Sequence, residues 1–380
     1  MQELISYIQT NKAVHTKINN EIRDANQIEY PKRNLFVKLK QYARDFLADK
    51  TEPRLIAISG LRGVGKTTLL WQTAHYIFSN LSQSIYYLNG NDLKRLGYNL
   101  FETMNVFEQE IIKKQFYELS DPIVFLIDEI HDLDGWDKDL KMIYDKCKQA
   151  FILCTGSSAL LLHKNADLAS RITMVKLFPF RFSEFILSKT WLLHKKSLLF
   201  PEKGLGSELK QALFFSKDLQ SLNGALLALA PTIEKYLHSI KECIKAPMHE
   251  LINEYISYHN IARFLTLKNK ELINDRVIDL FERILFRDIP AFDKNASPES
   301  MFRLLTRIAL SDEINLDKLA GSFGKKEEIE NFVDLLDKAE ILNVFLPLAA
   351  LRKKLGKTLS RFLCLLLYDG LYTQEYTETN

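Results

Sequence analysis

The stretch IAISGLRGVGKTTLLWQ, residues 56–72, decides how this 380-residue chain is read. It sets three glycines and a lysine between an apolar run and a segment of helical character. Gly60, Gly65, Lys66 and Thr67 fit the pattern GxxxxGK[ST], and they stand after a strand and before a helix, the setting that a phosphate-binding loop requires. The glycines let the backbone wrap with its amides facing inward. Those amides and the helix N-terminus behind them offer partial positive charge, Lys66 adds a full one, and the Thr67 hydroxyl suits magnesium. The loop residues expected to hold the nucleotide are Gly60, Arg62, Gly63, Val64, Gly65, Lys66, Thr67 and Thr68.

A phosphate loop needs a metal ligand and a group to activate water. The run IVFLIDEIHDLDGW supplies both, because an apolar strand ends there in Asp128 and Glu129. A carboxylate at a strand end beside the loop can share the magnesium with Thr67, and a second can polarise the attacking water. Asp128 is therefore the expected metal ligand and Glu129 the expected base. Next, FILCTGSSA ends a strand in Thr155, Ser157 and Ser158, hydroxyls placed to sense a γ-phosphate or simply to cap a helix. Arg171, just before the last strand, is the candidate arginine finger. No NKxD sequence is present to read a guanine, so ATP is expected rather than GTP.

Composition sets the bounds. The 51 Lys+Arg nearly cancel the 48 Asp+Glu, leaving +3, so no global field draws the chain to nucleic acid. Cys147, Cys154, Cys243 and Cys364 show no CxxC spacing, which argues against a zinc site and a disulfide framework and suggests a reducing, cytoplasmic compartment. MQELISYIQTNKAVHTKINN has no basic start before an apolar core and does not read as a signal peptide. Apolar runs such as NGALLALAP and FLCLLLY fall short of the roughly 20 residues that a bilayer needs, so no membrane span is expected.

Periodicity organises the rest. Residues 1–50 read as a helical segment that buries Ile5, Ile8, Leu35, Leu39, Tyr42 and Phe46. From 51 to 187 the short runs LIAIS, SIYYLN, IVFLI, FILCT and ITMVKL alternate with helical stretches, which predicts an α/β P-loop domain with a parallel sheet covered on both faces. The extra strand and helix between the loop and Asp128, residues 84–119, suggest a nucleotidase in which a further strand separates the two motif strands. Residues 188–296 read as a helical lid or linker, 297–347 as a winged helix, and 348–380 as a C-terminal remnant and tail. The winged unit is assigned from PESMFRLLTRIAL, NLDKLAGSFG and KKEEIENFVDLLDKAE as three helices and ILNVFLP as a strand.

Taken together, ISGLRGVGKTTLL, IVFLIDEIHDLDGWDKDLKMIYD, FILCTGSSALLL, LASRI and LFPFRFSEF resemble the AAA-type, STAND-related P-loop ATPases of bacteria and archaea. Those proteins carry a winged helix and then a restriction-endonuclease-like domain. The segments LINEYISYHNIARF, ERILFRDI and LLLYDGLY are similar to the second half of that family. The resemblance implies nucleotide roles for Lys66, Thr67, Asp128, Glu129, Thr155 and Ser157, and a finger role for Arg171. Only nine residues follow Leu371 where that family continues for a domain, so the nuclease-like part is expected to be missing.

The expected activity is magnesium-dependent ATP hydrolysis that switches the helical and winged-helix parts, with Lys66, Glu129 and Arg171 catalytic. The alternatives are a slow-turnover, nucleotide-gated protein-interaction switch and a winged-helix DNA-binding regulator. Residues 325–340 hold three lysines against six acids, a net of −3, which disfavours duplex DNA for that helix. The five basic residues of LRKKLGKTLSR argue the other way. A structural or protein-binding role is still preferred for the winged helix, ATP is the expected ligand, a homo-oligomer or a protein partner is open, and nucleic acid is not favoured.

Overall fold

The computed structural model describes residues 1–156, 166–194, 204–293, 296–311, 325–339 and 341–342. Its centre is a sheet of five parallel strands, β1 (Leu55–Ser59), β2 (Ile85–Asn89), β3 (Ile123–Asp128), β4 (Ala150–Gly156) and β5 (Thr173–Lys176), in the order β2-β3-β4-β1-β5. Each strand falls on one of the five apolar runs. β1, β3 and β4 are buried along their whole length, as strands covered on both faces must be.

Register decides where chemistry can sit. Ser59 pairs with Gly156 and with Lys176, Ile127 with Cys154, and Asn89 with Asp128, so the C-terminal ends of all five strands share one edge. In open parallel sheets ligands bind outside that edge. The strand standing between the two motif strands β1 and β3 is β4, while β2, which lies between them in sequence, takes the sheet margin. The 84–119 insertion thus widens the sheet, and the later strand separates loop from carboxylate.

Side chains alternate along each strand and feed two apolar layers. Ile56, Ile58, Val124, Leu126, Phe151 and Leu153 face helices α2 (His15–Ile22), α3 (Leu35–Leu47) and α4 (Lys66–Asn80). Leu55, Ala57, Phe125, Ile127, Ile152 and Cys154 face the other way, against Leu4 and Ile8 of α1 (Gln2–Thr10) and against Trp136, Leu140 and Ile143. The N-terminal segment therefore contributes to both layers. It also closes the free margin of β2, since Ala13 N–H donates to Ile85 O at 2.8 Å and Tyr87 N–H to Asn11 O at 3.0 Å.

Beyond β5 the described chain is helical. Phe180, Phe185, Ile240, Ile244, Leu251 and Tyr255 form a separate small core. Farther on, the helices Pro298–Ala309 and Lys326–Lys338 join the first sheet layer through Ile284, Leu285 and Ile289. They fall on the segments that the sequence reading gives as the first and third helices of a winged unit. Its expected second helix, all but Ile341 and Leu342 of its strand, and the 348–380 remnant lie outside the described residues. No helix among the described residues is long and apolar enough to cross a membrane.

Candidate functional site

The loop from Gly60 to Gly65 leaves β1 at the C-terminal edge and enters α4. Gly60 is required by close approach, for a Cβ there would stand 2.3 Å from the carbonyl oxygen of Leu177. Lys66 is buried, and its Nζ donates to the carbonyls of Gly60 at 2.9 Å and Leu61 at 3.2 Å. The ammonium is thus curled inside its own loop.

Asp128 gathers hydroxyls from three elements. Thr67 Oγ1 donates to its Oδ2 at 2.9 Å and the Tyr87 hydroxyl donates to the same oxygen at 3.1 Å. Thr155 Oγ1 donates to Oδ1 and accepts from the Glu129 N–H at 3.0 Å. Burial, and then the Asp128 charge, push the Tyr87 phenol well above its ordinary range, so it stays a donor. Thr67, Asp128 and Thr155 are thereby brought together. Tyr87 was not expected. It lies in the apolar strand β2, and only the β2–β3 register reveals what it faces.

Glu129 follows with a left-handed backbone, φ 50° and ψ 44°. Its Oε2 is buried and has no hydrogen bond among the described residues, although His131 Nδ1 lies 3.4 Å away. Burial raises the Glu129 carboxyl above the usual range, while Lys66 pulls it down and Asp128 pushes it up. Burial likewise lowers the His131 imidazole, which favours its neutral form. A buried carboxylate with a raised pKa and an oxygen that accepts no hydrogen bond suits a proton acceptor.

Beside Glu129 opens a cavity of about 460 Å³, lined among others by Arg62, His131, Asp132, Arg283, Arg287 and Asp288. Arg62 reaches it from the phosphate loop. The last three come from the turn of π-helix Ile284–Asp288 and the residue before it. Burial raises the Asp288 carboxyl, and the charges of Arg62 and His131 pull it back. Sequence reading had the segment ERILFRDI only as a likeness, with no site role.

The helical part also touches the loop. Arg263 N–H donates to Gly63 O at 2.9 Å, and a Cβ on Gly63 would meet Arg263 Cβ at 3.0 Å. From the opposite side Arg33, 8% exposed, donates from Nη1 to Val64 O at 2.6 Å. Neither arginine carries a local motif.

Arg171 stands apart. Thr173 pairs with Ile56, so Arg171 is level with Arg54 at the N-terminal edge of the sheet. Six residue steps, across the length of β1, separate that level from Gly60, roughly 20 Å at ~3.3 Å per step. Arg171 Nε donates instead to Asp145 Oδ1 at 2.9 Å. Ser157 and Ser158 lie outside the described residues.

Over 334 residues the chain is 28% identical to an uncharacterized protein of Methanocaldococcus jannaschii, covering 84% of this chain and 64% of that one. Over 160 residues it is 30% identical to an uncharacterized protein of Haemophilus influenzae, covering 40% and 38%. The chain thus spans less than two thirds of the length of these relatives. Among solved structures it aligns with the Aeropyrum pernix ORC2 protein at 13% identity and a TM-score of 0.41, covering 91% of this chain and 93% of that one. Residues 52–186, which hold the sheet, the loop, Asp128, Glu129 and Arg171, match the family described as AAA domain, a P-loop nucleotide-binding fold.

Proposed function

We propose that this chain binds ATP with magnesium at the Gly60–Thr67 loop and hydrolyses it, and that the nucleotide state sets the arrangement of the helical segment 188–296 and the winged-helix unit 297–347. The carrying observation is the convergence of Thr67 Oγ1 and Asp128 Oδ2 at 2.9 Å beside Lys66. That donor set fits magnesium, which takes hydroxyl, carboxylate and phosphate oxygens and is held by few protein ligands. When bound, the ion would supply charge neutralisation at the phosphoryl oxygens.

The protein groups do the rest. The loop amides and Lys66 hold the triphosphate in line, and Glu129 takes a proton from the attacking water through Oε2, which has no hydrogen-bond donor among the described residues. Thr155 steadies both Asp128 and the Glu129 backbone. Arg171 stands at the far edge from its own loop, which supports action in trans, on the nucleotide of a neighbouring copy. The bond from Arg263 N–H to Gly63 O gives the loop a direct handle on the helical segment. Burial raises the Cys147 thiol to about 11 and Cys154 to about 12, which suits unreactive structural cysteines in a reducing cytoplasm.

Calorimetric titration with ADP and with MgATP tests the binding step. The unaltered chain should bind both, and Lys66→Ala should bind neither. Equal binding by Lys66→Ala would place the nucleotide elsewhere.

A further inference from the structure

We propose that Arg33 is a positioning residue of the nucleotide site, holding the Val64–Gly65 peptide so that the Gly65 amide faces the phosphates. The proposal rests on the reading of the Gly60–Thr67 loop as a phosphate site and names what sets that loop's shape.

Arg33 precedes α3, far in sequence from the loop. Its Nη1 donates to Val64 O at 2.6 Å, and its Nη2 donates to Phe178 O at 2.8 Å, Pro179 O at 3.3 Å and Glu184 Oε2 at 3.0 Å. The guanidinium carbon lies 4.6 Å from the centre of the Phe180 ring. Glu184 is itself anchored, accepting from Asn34 N–H at 2.8 Å and Arg181 N–H at 3.0 Å. Burial alone would raise the Glu184 carboxyl, but the Arg33 charge and these hydrogen bonds hold it below the usual range. The pair is therefore charged, and the fork is fixed at both ends.

The peptide bond carries the consequence. In a trans peptide the C=O of one residue and the N–H of the next point in opposite directions. With the Val64 carbonyl captured by Arg33, the Gly65 N–H must face away from it. Gly65 tolerates the required φ of 100° because it has no Cβ. An amide oriented before the ligand arrives costs no reorganisation on binding. Lysine cannot replace the fork, for it presents a point charge without the planar geometry that spans three carbonyls and a carboxylate. Arg33 Nε is buried without a hydrogen bond among the described residues.

Titration of the full chain with a fluorescent ADP analogue, beside its melting curve and steady-state ATP hydrolysis, tests the assignment in Arg33→Lys and in the double variant Arg33→Met, Glu184→Gln. The double variant removes both charges and so avoids leaving Glu184 buried alone. Both proteins should bind the analogue about tenfold or more weakly and show a KM raised in parallel, while kcat at saturating ATP stays within about threefold, the pattern of lost uniform binding. If the double variant does not fold, Arg33→Lys decides by the same readouts. A lower melting temperature with unchanged affinity would make Arg33 merely structural and overturn the assignment. No binding by the unaltered chain would overturn the nucleotide reading itself, a different failure.

Discussion

Thr67 and Asp128 are 61 positions apart in sequence, yet the Thr67 hydroxyl donates to Asp128 Oδ2 at 2.9 Å. The contact joins the first turn of α4 to the end of β3 across the width of β4. Because Tyr87 donates to the same oxygen, the carboxylate has a fixed rotamer before any ligand is present.

Tyr87→Phe should therefore weaken metal use without disturbing the fold. Loss of an orienting partner behind a metal-ligating carboxylate typically costs 10- to 100-fold in affinity. A magnesium titration of ATPase activity should show the half-saturating concentration raised by about tenfold, with near-normal turnover at high magnesium. An unchanged magnesium requirement would remove Tyr87 from the site.

Glu129 should cost the fold stability as pH rises. Its folded-state pKa lies above its unfolded value, so its favourable contribution is complete below the unfolded pKa and is lost as pH climbs through the folded one. Glu129→Gln cannot ionise and escapes that loss. Its melting temperature should match the unaltered chain near pH 4 and exceed it increasingly toward neutral pH. A variant that melts lower at pH 7.5 would show that the carboxylate is held by favourable interactions instead.

Arg171 should matter for turnover and hardly at all for stability. Its pairing with Asp145 is partly exposed, and such pairs contribute ~0–1 kcal/mol. As a finger it should lower turnover by roughly 10³-fold on removal, with ATP affinity nearly intact. Mixing Arg171→Ala with Lys66→Ala should restore part of the activity, because some interfaces then pair an intact loop with an intact arginine. Normal turnover in Arg171→Ala would end the finger assignment, and a fully active monomer would end the trans arrangement.

Duplex DNA should bind weakly and without sequence preference. The helix Lys326–Lys338 carries more acids than lysines, and phosphate contacts supply most of the affinity of a duplex binder. Fluorescence anisotropy with a labelled duplex should show binding that fades steeply with salt. Tight, sequence-selective binding at physiological salt would favour the regulator reading.

The sheet was legible because each strand is a short apolar run between helical stretches, and period and punctuation are local properties. The placement of Lys66, Thr67, Asp128 and Glu129 at one edge of the sheet was legible for the same reason, each fixed by a strand end or a glycine pattern. Tyr87, Arg33 and Arg263 were not. Each reaches the site through tertiary geometry, by strand register for Tyr87 and by packing across long sequence separations for the two arginines, and a surface or strand residue in such a position looks like any other. The place of β4 between β1 and β3 was hidden similarly, since chain order does not give spatial order. Arg171 precedes β5 in the sequence, and in a parallel sheet that order alone puts it at the edge away from the loop, as the pairing of Thr173 with Ile56 shows.

The most direct test of the account is phosphate release from saturating MgATP by the unaltered chain and by Glu129→Gln, with ATP affinity measured on the same samples. The account predicts measurable turnover for the first, at least ~100-fold less for the second, and similar affinity for both, as expected when a general base is lost. Equal turnover in the two proteins would contradict it.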